Sequence, residues 1–416
     1  MRRQKQLLSS TKILRSANAV SVLRTLYTEG SCSRARLTRL TRMSPATITR
    51  ITAELGAQGF ISESGVEASS GGRRAVILEL NYEKIFIAGV SVLRDRVDLA
   101  LSDLRGEFTH KRSFPPYSLE PASLIKESAA EFEALITEGG VAKERILGVG
   151  VAISGIVDSV NGVLLRSTNL GWRGVAIAKE LEDALGLPVV VENDANAAAL
   201  AELWFGHGKN AASLLYIKTD RGVGAGIVYD RNLLAGVRGM AGEIGHVPVI
   251  RPGRPCRCGQ SGCLEAYLYL PDVLRRYEEL TGERSSGAEL FLRVQNGDPA
   301  ARLIVDEAAE ALAAAVSMAA GLLDLDMVVI GGLWGRQGEG FLTRIRRRYQ
   351  EVLEGCGLSK EFSVVGSSLG EESDLLGAVG LVINRWLTPP IQSSGMGDLF
   401  GNKNVLGMKA SSYSDN

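Results

Sequence analysis

A single stretch, residues 242–265, constrains this chain more than any other because it holds four potential metal ligands in one short loop. It reads GEIGHVPVIRPGRPCRCGQSGCLE and contains one of the three histidines and three of the five cysteines. Thiolates and imidazole at this spacing suit a tetrahedral Zn²⁺ ion, which has no redox chemistry and closes a loop by binding it. The sequence therefore predicts a structural zinc site with the ligands His246, Cys256, Cys258 and Cys263. The alternative is that the cysteines are buried as small hydrophobic side chains.

Composition places the chain among ordinary globular proteins. Its 416 residues are enough for two or three domains, and 45% are hydrophobic and 23% charged. Uncharged apolar runs such as residues 311–323 are too short to span a bilayer, and no apolar signal core follows the first residues. Clustered cysteines favour zinc in a reducing cytosol over a disulfide framework. We therefore predict a cytoplasmic protein with no membrane partner.

Charge is unevenly distributed along the chain although the net charge is zero. Residues 1–80 hold 13 Lys and Arg against 5 Asp and Glu, whereas the remaining residues hold 34 against 42. A basic N-terminal region on an acidic body favours a polyanionic partner for that region. The alternative is a basic surface that is only solvated, so the inference needs support from local pattern.

The basic region contains the pattern of a helix-turn-helix. Residues 14–27 read as an amphipathic helix, and Ser33 can cap a short second helix. Ser44 and Pro45 form a strong start for a third helix, with a capping hydroxyl and proline at the first helical position. The N-terminal residues of such a recognition helix reach base edges in the major groove. The predicted DNA contacts on this helix are Ser44, Ala46, Thr47, Thr49 and Arg50.

A hairpin follows the recognition helix. Residues 60–61 and 75–80 read as strands, and residues 64–74 between them form a polar loop that ends in Gly-Gly-Arg-Arg. Arginines on a flexible wing reach phosphates or a minor groove, which adds Arg73 and Arg74 to the predicted DNA contacts. The alternative is a helical bundle with solvated arginines. The helix start, the hairpin and the local charge together favour a winged helix that binds DNA.

The body of the chain contains one pattern twice. Strands at residues 85–92, 97–104 and 107–113 are followed by a helix at 121–138 and a strand at 146–153. Strands at 213–218, 224–229 and 231–234 are likewise followed by a helix at 300–323 and a strand at 326–330. This repeat predicts two related α/β lobes with a cleft between them.

Polar residues at predicted strand ends are candidates for furnishing that cleft. Ser154 and Gly155 directly follow one strand, Asn169 lies in a polar loop, and Asn193 and Asp194 end another strand at the start of a helix. Carboxylates and amides suit a hydroxyl-rich ligand because they accept and donate hydrogen bonds in pairs. The alternative for the last two residues is that one of them simply caps the helix.

These motifs resemble the ROK family of repressors, open reading frames and sugar kinases over residues 10–390. The matching motifs are Glu-x-Gly-His at 243–246, Cys-x-Cys-Gly-x-x-Gly-Cys-x-Glu at 256–265 and Glu-Asn-Asp-Ala-Asn-Ala at 192–197. The winged helix is similar to that of the repressor branch, which includes xylose, glucose and N-acetylglucosamine repressors. The resemblance implies an α/β fold in which a winged helix-turn-helix precedes a duplicated, actin-like (ribonuclease H-like) two-lobed ROK domain.

The resemblance also implies roles for individual residues. It implies a structural zinc ion on the four ligands named above, with His246 able to contact metal through one ring nitrogen and sugar through the other. Residues that match sugar-binding positions of the family are Asn169, Asn193, Asp194, Glu243, His246 and Glu265. Partners implied are a small-molecule sugar, palindromic operator DNA contacted in the major groove and by the wing, and further copies of the chain in a homodimer or dimer of dimers.

Kinases of this family would use Asp194 as the base that takes a proton from the sugar hydroxyl, but the phosphate turns depart from their pattern. Their Asp-x-Gly-Gly-Thr turn corresponds to Ser-Val-Leu-Arg-Asp at residues 91–95. The second turn, residues 219–226, keeps three glycines, but Arg221 replaces a threonine; Gly331 and Gly332 match the family's adenosine-side turn after a later strand. Phosphoryl transfer depends on positioning the triphosphate and its Mg²⁺, and this requires close backbone approach. We therefore predict no turnover of ATP.

The predicted function is a sugar-responsive repressor of carbohydrate uptake and catabolism genes, in which sugar in the cleft releases operator DNA. The alternative is a glucokinase-like, ATP-dependent sugar kinase with an added DNA-binding domain. The predicted organisation is a winged helix in residues 1–80, a first lobe in 81–200 onto which 371–390 pack back, a second lobe with the zinc loop in 201–370, and a poorly ordered tail in 391–416. Cys32 is predicted to lie in a helix core, and Cys356 has no assigned role.

Overall fold

The computed structural model describes residues 17–66, 75–355 and 363–388. The chain divides into two compact units, and it passes from the first to the second between Glu192 and Asn193 and returns between Gly377 and Ala378. Arg73, Arg74, the start of the first predicted helix, Cys356 and the predicted tail lie outside the described residues. Within the described residues, no helix combines the length and apolar character that a bilayer crossing requires.

The N-terminal part of the first unit is a winged helix-turn-helix. It consists of α1 (Ala17–Glu29), β1 (Cys32–Ser33), α2 (Arg34–Thr41), α3 (Pro45–Ala57), β2 (Ile61–Val66) and β3 (Val76–Leu80). The strands form a sheet in the order β1-β3-β2. The predicted helix start is present, because the Ser44 hydroxyl accepts the backbone N–H of Thr47 at 3.1 Å and Pro45 is the first helical residue. Ile48, Ile51 and Leu55 are buried, as their spacing predicts.

The prediction for Cys32 was wrong. Cys32 is buried, with 2% of its surface exposed. It lies on β1, where it pairs with Leu78 of β3, and not in a helix core. The physical reason is the cap that follows it. Ser33 accepts the backbone N–H of Arg36 from an extended conformation, so α2 begins only at Arg34.

The rest of the first unit is built on a five-stranded sheet in the order β11-β7-β4-β5-β6. Its elements are β4 (Phe86–Val92), β5 (Val97–Ser102), β6 (Phe108–Phe114), α4 (Pro121–Glu138), β7 (Ile146–Ile153), α5 (Ile177–Leu185) and β11 (Val189–Asn193). β4 is buried along its whole length because it lies between antiparallel β5 and parallel β7. Apolar residues of α4 and α5 complete the core beside the sheet.

Along the chain, a second, small sheet is formed by the residues between β7 and α5. It consists of β8 (Ile156–Asp158), β9 (Val163–Ser167) and β10 (Trp172–Val175) in the order β10-β9-β8. The sequence did not predict these strands, since they are three to five residues long and too short to show a period. The sheet matters because the turns that enter and cross it carry Ser154, Gly155 and Asn169.

The second unit repeats the strand order of the first, with β14-β13-β12-β15-β16. Three consecutive antiparallel strands form one side of the sheet. The fourth strand then pairs with the free edge of the first strand, and the fifth strand pairs with the fourth, as in the first unit. The predicted duplicated fold is therefore observed. Its fifth strand is the separately predicted strand that ends at Asn193 in the first unit, whereas the fifth strand of the second unit, Ser363–Gly366, was not predicted. The elements are α6 (Asp194–Trp204), β12 (Leu214–Thr219), β13 (Val223–Tyr229), β14 (Asn232–Leu233), α7 (Glu265–Leu268), α8 (Leu270–Thr281), α9 (Gly287–Gln295), α10 (Pro299–Leu323), β15 (Met327–Gly331), α11 (Gly332–Gly335), α12 (Glu339–Gly355), β16 (Ser363–Gly366) and α13 (Ser373–Leu387).

Candidate functional site

The loop that carries the predicted metal ligands lies against β13 of the second unit. Two glycines permit this close approach. A Cβ atom on Gly242 would lie 1.9 Å from the carbonyl oxygen of Ala225, and one on Gly245 would lie 2.1 Å from that of Val223. Further along the loop, the Cys256 N–H donates to the Gln260 carbonyl oxygen at 2.8 Å. Close backbone packing therefore holds the start of the loop against β13, and a backbone hydrogen bond closes the turn around the cysteines.

The four predicted ligands come together at one point. Their ligand atoms all lie within 4.8 Å of one another, and the Sγ atoms of Cys258 and Cys263 are 3.7 Å apart. A tetrahedral Zn²⁺ with bonds of about 2.3 Å to sulfur separates two thiolates by roughly 3.8 Å. The Nδ1 atom of His246 is buried and has no hydrogen-bond partner among the described residues. A buried ring nitrogen that makes no hydrogen bond and lies beside three thiols is suited to bind a metal ion. The cluster of four residues could therefore hold one.

The three thiols of this cluster differ in their affinity for protons. Burial chiefly raises the pKa of Cys263, to about 12, and burial also raises the pKa of Cys256. A backbone hydrogen bond at Gln260 lowers the pKa of Cys258. Because a metal ion binds thiolates rather than thiols, its binding releases the protons that burial otherwise retains.

Glu265 is linked directly to the metal loop by an arginine that the sequence did not single out. One Glu265 carboxylate oxygen accepts a guanidinium N–H of Arg257 at 3.1 Å, and the other accepts the backbone N–H of Val223 at 3.4 Å. Arg257 lies between two of the predicted ligands, and its guanidinium stacks over the ring of Tyr269 at 3.7 Å. The position of Glu265 is therefore set by the loop. No sequence signal identified its partner, because a single arginine in a basic loop is usually solvated.

The pair Asn193 and Asp194 forms the start of α6. The Asn193 carbonyl oxygen accepts the backbone N–H groups of Ala195 and Asn196 at 2.9 and 3.2 Å, so the capping alternative is observed for this oxygen. Asp194 has a different partner. Its Oδ2 accepts Lys218 Nζ at 2.8 Å, and its Oδ1 accepts the backbone N–H of Ala195 at 3.1 Å. Both carboxylate oxygens of Asp194 are thus engaged by the protein itself.

Lys218 also binds a second carboxylate and is buried. Its Nζ lies 2.6 and 2.7 Å from the two oxygens of Asp374, and only 10% of its side chain is exposed. Burial alone would lower the pKa of Lys218, but the charges of Asp194 and Asp374 outweigh it and raise the pKa. Burial chiefly raises the pKa of Asp374; the charge of Lys218 opposes this rise, and the charge of Asp194 adds to it. The sequence feature that could have identified Lys218 is a lysine at the end of the apolar run LLYIK, because a lysine in such a run needs a charged partner.

In the first unit, the predicted residues Ser154, Gly155 and Asn169 lie on the turns of the small sheet. Gly155 has a φ of +139°, and a Cβ atom there would lie 2.5 Å from the Arg166 carbonyl oxygen of β9. Asn169 lies in the turn from β9 to β10. The guanidinium of Arg94 donates to the backbone carbonyl oxygen of Asn169 at 2.5 Å. Arg94 therefore fixes the position of this turn.

The two predicted phosphate turns lie at the ends of β4 and β12. At the first, the Leu93 N–H donates to the Arg96 carbonyl oxygen at 2.9 Å and closes a tight turn that includes Arg94. At the second, a Cβ atom on Gly332 would lie 2.6 Å from Oδ1 of Asp220. An acidic side chain thus lies against the glycine turn after β15. Its charge disfavours a phosphate at that place.

The predicted DNA-contacting residues of α3 lie at its N-terminal end. Ser44, Ala46, Thr49 and Arg50 are exposed and Thr47 is half-buried. Arg50 pairs with Glu54 at 3.0 Å, and 62% of its side chain is exposed. An exposed arginine in such a pair exchanges partners at small cost.

Comparison with known proteins identifies the family of this chain. The model of the ROK family matches residues 87–385, and that of the MarR family matches residues 16–64. The chain belongs to the ROK family. A xylose repressor of Caldicellulosiruptor bescii is 30% identical over 404 residues, which cover 91% of this chain and 98% of that protein. A glucokinase of Halalkalibacterium halodurans is 32% identical over 311 residues, which cover 71% of this chain and 94% of that protein.

A solved structure is similar over nearly the whole chain. It is described as a ROK family transcriptional regulator, homologue of the E. coli MLC protein, with a TM-score of 0.78 and 27% identity. The match covers 90% of this chain and 97% of that one. The predicted family and the predicted fold, a winged helix followed by a duplicated ROK domain, are confirmed. Relatives within the family include both named repressors and named glucokinases.

Proposed function

We propose that this protein is a sugar-responsive, DNA-binding transcriptional repressor of genes for carbohydrate uptake and catabolism. The observation that carries the proposal is the presence of a winged helix and a ROK domain on one chain, which aligns with 98% of a named xylose repressor. The named glucokinase aligns with only 71% of this chain. An exposed recognition helix supports an output on DNA.

The sugar, in this proposal, is bound by the polar residues predicted from the sequence. Asp194 would accept hydrogen bonds from hydroxyl groups of the sugar, and its contact with Lys218 Nζ at 2.8 Å holds the carboxylate in position. Glu265 is held by Arg257 in the same way. Charged acceptors of this kind form the stronger hydrogen bonds to hydroxyl groups. The proposed set is Ser154, Gly155, Asn169, Asn193, Asp194, Glu243, His246 and Glu265.

We also propose that the metal is Zn²⁺ and that its role is structural. His246, Cys256, Cys258 and Cys263 would hold it, which supplies a closed tetrahedral site without an open position for catalysis. The short path from the loop through Arg257 to Glu265 supports this role, because a rigid loop keeps that carboxylate in place. Loss of the metal would then weaken sugar binding even though every residue of the proposed sugar set is still present.

The alternative function, an ATP-dependent sugar kinase, is disfavoured by three observations. The Oδ2 atom of Asp194, which a kinase would need free to take a proton from the sugar, already accepts a hydrogen bond from Lys218 Nζ at 2.8 Å. Arg94 occupies the turn after β4 and binds Asn169. Asp220 adds a negative charge at the turn after β15. Measurement of ADP release with ATP, Mg²⁺ and a panel of aldoses decides the matter, and turnover near the enzyme median of about 10 s⁻¹ would exclude our proposal.

Operator binding is proposed to involve a palindromic site and a homodimer or dimer of dimers. The α3 residues named above would contact bases in the major groove, and Arg73 and Arg74 of the wing would contact phosphates or the minor groove. The sequence-based domain limits, with a winged helix to residue 80 and lobes in 81–200 and 201–370, remain part of this proposal. Sedimentation of the chain with and without a selected duplex measures the stoichiometry.

Two experiments test the function itself. A thermal-shift screen of about thirty sugars should find one that stabilises the chain, since ligand at 100 times its Kd adds roughly 2.7 kcal/mol. A DNA duplex selected from a random library by the wild-type chain then serves as the operator. We expect that sugar to weaken operator binding in fluorescence anisotropy. No selected duplex, or an operator affinity that no sugar changes, would contradict the proposal.

A further inference from the structure

Lys218 contacts both segments by which the chain passes between the two units. The chain enters the second unit at Asn193, next to Asp194, and leaves it at Gly377, three residues after Asp374. Both carboxylates accept the same buried ammonium group. Asp194 is in the proposed sugar set, and Asp374 lies in the first turn of α13. A sugar hydroxyl bound to Asp194 would therefore contact the same carboxylate as Lys218 Nζ, and Lys218 Nζ also binds Asp374 at the start of α13.

The helix α13 is closely packed on both sides of the point where it changes unit. A Cβ atom on Gly377 would lie 2.5 Å from the carbonyl carbon of Ala197 in α6. A Cβ atom on Gly150 of β7 would lie 1.8 Å from the carbonyl oxygen of Ala378. Glycine at both contacts lets backbone lie against backbone, and such close-packed interiors transmit displacement rather than absorb it.

The other end of α13 reaches the winged helix. The rings of Trp386 and Phe60 have centroids 6.1 Å apart, within the range of an aromatic pair. Phe60 joins the recognition helix to the wing. Its N–H donates to the Leu55 carbonyl oxygen of α3 at 3.0 Å, and its carbonyl oxygen accepts the N–H of Asn81 at 2.9 Å.

We infer that Lys218, Asp374 and Trp386 are positioning residues that carry the sugar signal along α13 to the recognition helix. Sugar bound to Asp194 alters the Lys218 contact, the start of α13 moves with Asp374, and Trp386 moves against Phe60. The inference rests on the proposed function. It differs from a general coupling through the fold because it runs along one continuous helix whose two ends are bound by named side chains.

The test uses two variants of the full chain, Asp374→Asn and Trp386→Leu. Asp374→Asn keeps the sugar residue Asp194 and its pairing with Lys218, and it removes only the charge at the start of α13. With D-xylose, D-glucose and N-acetyl-D-glucosamine as probes, we expect the sugar Kd and the sugar-free operator Kd to stay within about threefold of wild type. The ratio of operator Kd with and without sugar should fall from the roughly 5- to 150-fold typical of allosteric coupling to below about twofold.

Matched controls separate this path from ordinary loss of contacts. Arg105→Gln removes a contact outside the path along α13, the stacking of Arg105 on Tyr82 at 4.2 Å, and should keep the full ratio. Asp183→Asn removes an exposed pair with Lys179 and should also keep it. Trp386→Phe retains a ring against Phe60 and should restore the response that Trp386→Leu loses.

The outcomes are distinguishable. A wild-type chain whose operator affinity is unchanged by these three sugars and by every sugar of the thermal-shift screen overturns the proposed function and this inference together. A wild-type response that persists in folded Asp374→Asn or folded Trp386→Leu overturns the inference alone. If Trp386→Leu does not fold, judged by circular dichroism, Asp374→Asn decides the result.

Discussion

The ends of β4 and β12 occupy corresponding positions in the two units, and each carries a long cationic side chain at or just after the strand. Arg94 follows β4, is exposed and donates to one backbone carbonyl. Lys218 ends β12, is buried and binds two carboxylates. The resemblance places a phosphate turn at each position in the kinases. Here the first cation can exchange its partner for water, whereas the second is part of the core.

This difference predicts a large effect of removing the buried cation. Lys218→Met should lower the free energy of unfolding of the second unit by about 3–5 kcal/mol, because it leaves two buried carboxylates unpaired. Urea titration followed by hydrogen exchange of residues 193–377 measures the loss. Adding Asp374→Asn to this variant should recover part of it, since one carboxylate fewer is buried. A loss of unfolding free energy below about 1 kcal/mol would show that the contacts of Lys218 with Asp194 and Asp374 are worth no more than exposed ion pairs. The contrast with Arg94 would then not hold.

Metal removal tests a further difference between the two units, because all four residues of the metal cluster belong to the second unit. Chelation should destabilise that unit by roughly 2.7 kcal/mol if free metal stood at 100 times its Kd. Cys258→Ser and Cys263→Ser should each lose the metal and the sugar response while the winged helix stays folded. Metal content by mass spectrometry and operator binding check the two halves of this expectation. One equivalent of zinc retained in both variants would show that the ligand set is wrong.

Arg50 extends the comparison to a third cation, which is exposed like Arg94 but faces the proposed DNA. Arg50→Ala should weaken operator binding by about 1–3 kcal/mol and relax sequence preference at one base pair. Arg36→Ala is the control, because Arg36 is also exposed and paired, with Glu29 on α1. Anisotropy titrations on the selected duplex and on single-base variants give both quantities. Equal and sequence-independent losses in the two variants would place Arg50 among phosphate contacts.

The smallest effect is expected at Arg94. Arg94→Met should change the free energy of unfolding by less than about 1 kcal/mol, as is usual for exposed polar contacts. Its effect should instead be on the turn that holds Asn169, with sugar affinity reduced severalfold in calorimetry. A stability loss as large as that of Lys218→Met would show that the two strand ends are equivalent after all.

Patterns of long elements allowed most of the fold to be predicted. The helix at residues 121–138 and the strand at 146–153 were predicted with the observed bounds, since each has a clear period and a clear start. The β8–β10 sheet was missed because strands of three to five residues carry no period. Cys32 was misplaced because the serine that follows it caps a helix from extended backbone.

The site was predictable in its residue types but not in its partnerships. Spacing within one loop predicted the metal cluster, because ligands that are close in sequence are held close in space. The contact of Lys218 with Asp374 joins residues 156 positions apart, and no local pattern encodes it. Arg257 was missed for a related reason, since its partner is defined by the folded loop rather than by spacing.

The measurement that tests the account most directly is calorimetry of the sugar with the free protein and with its operator complex. Coupling between two sites is reciprocal, so DNA must weaken sugar binding by the same factor by which sugar weakens DNA binding. We predict a sugar Kd that is raised in the operator complex by the factor found in anisotropy, with no ADP formed when ATP is present. Equal sugar affinities in the two states would contradict a sugar-responsive repressor.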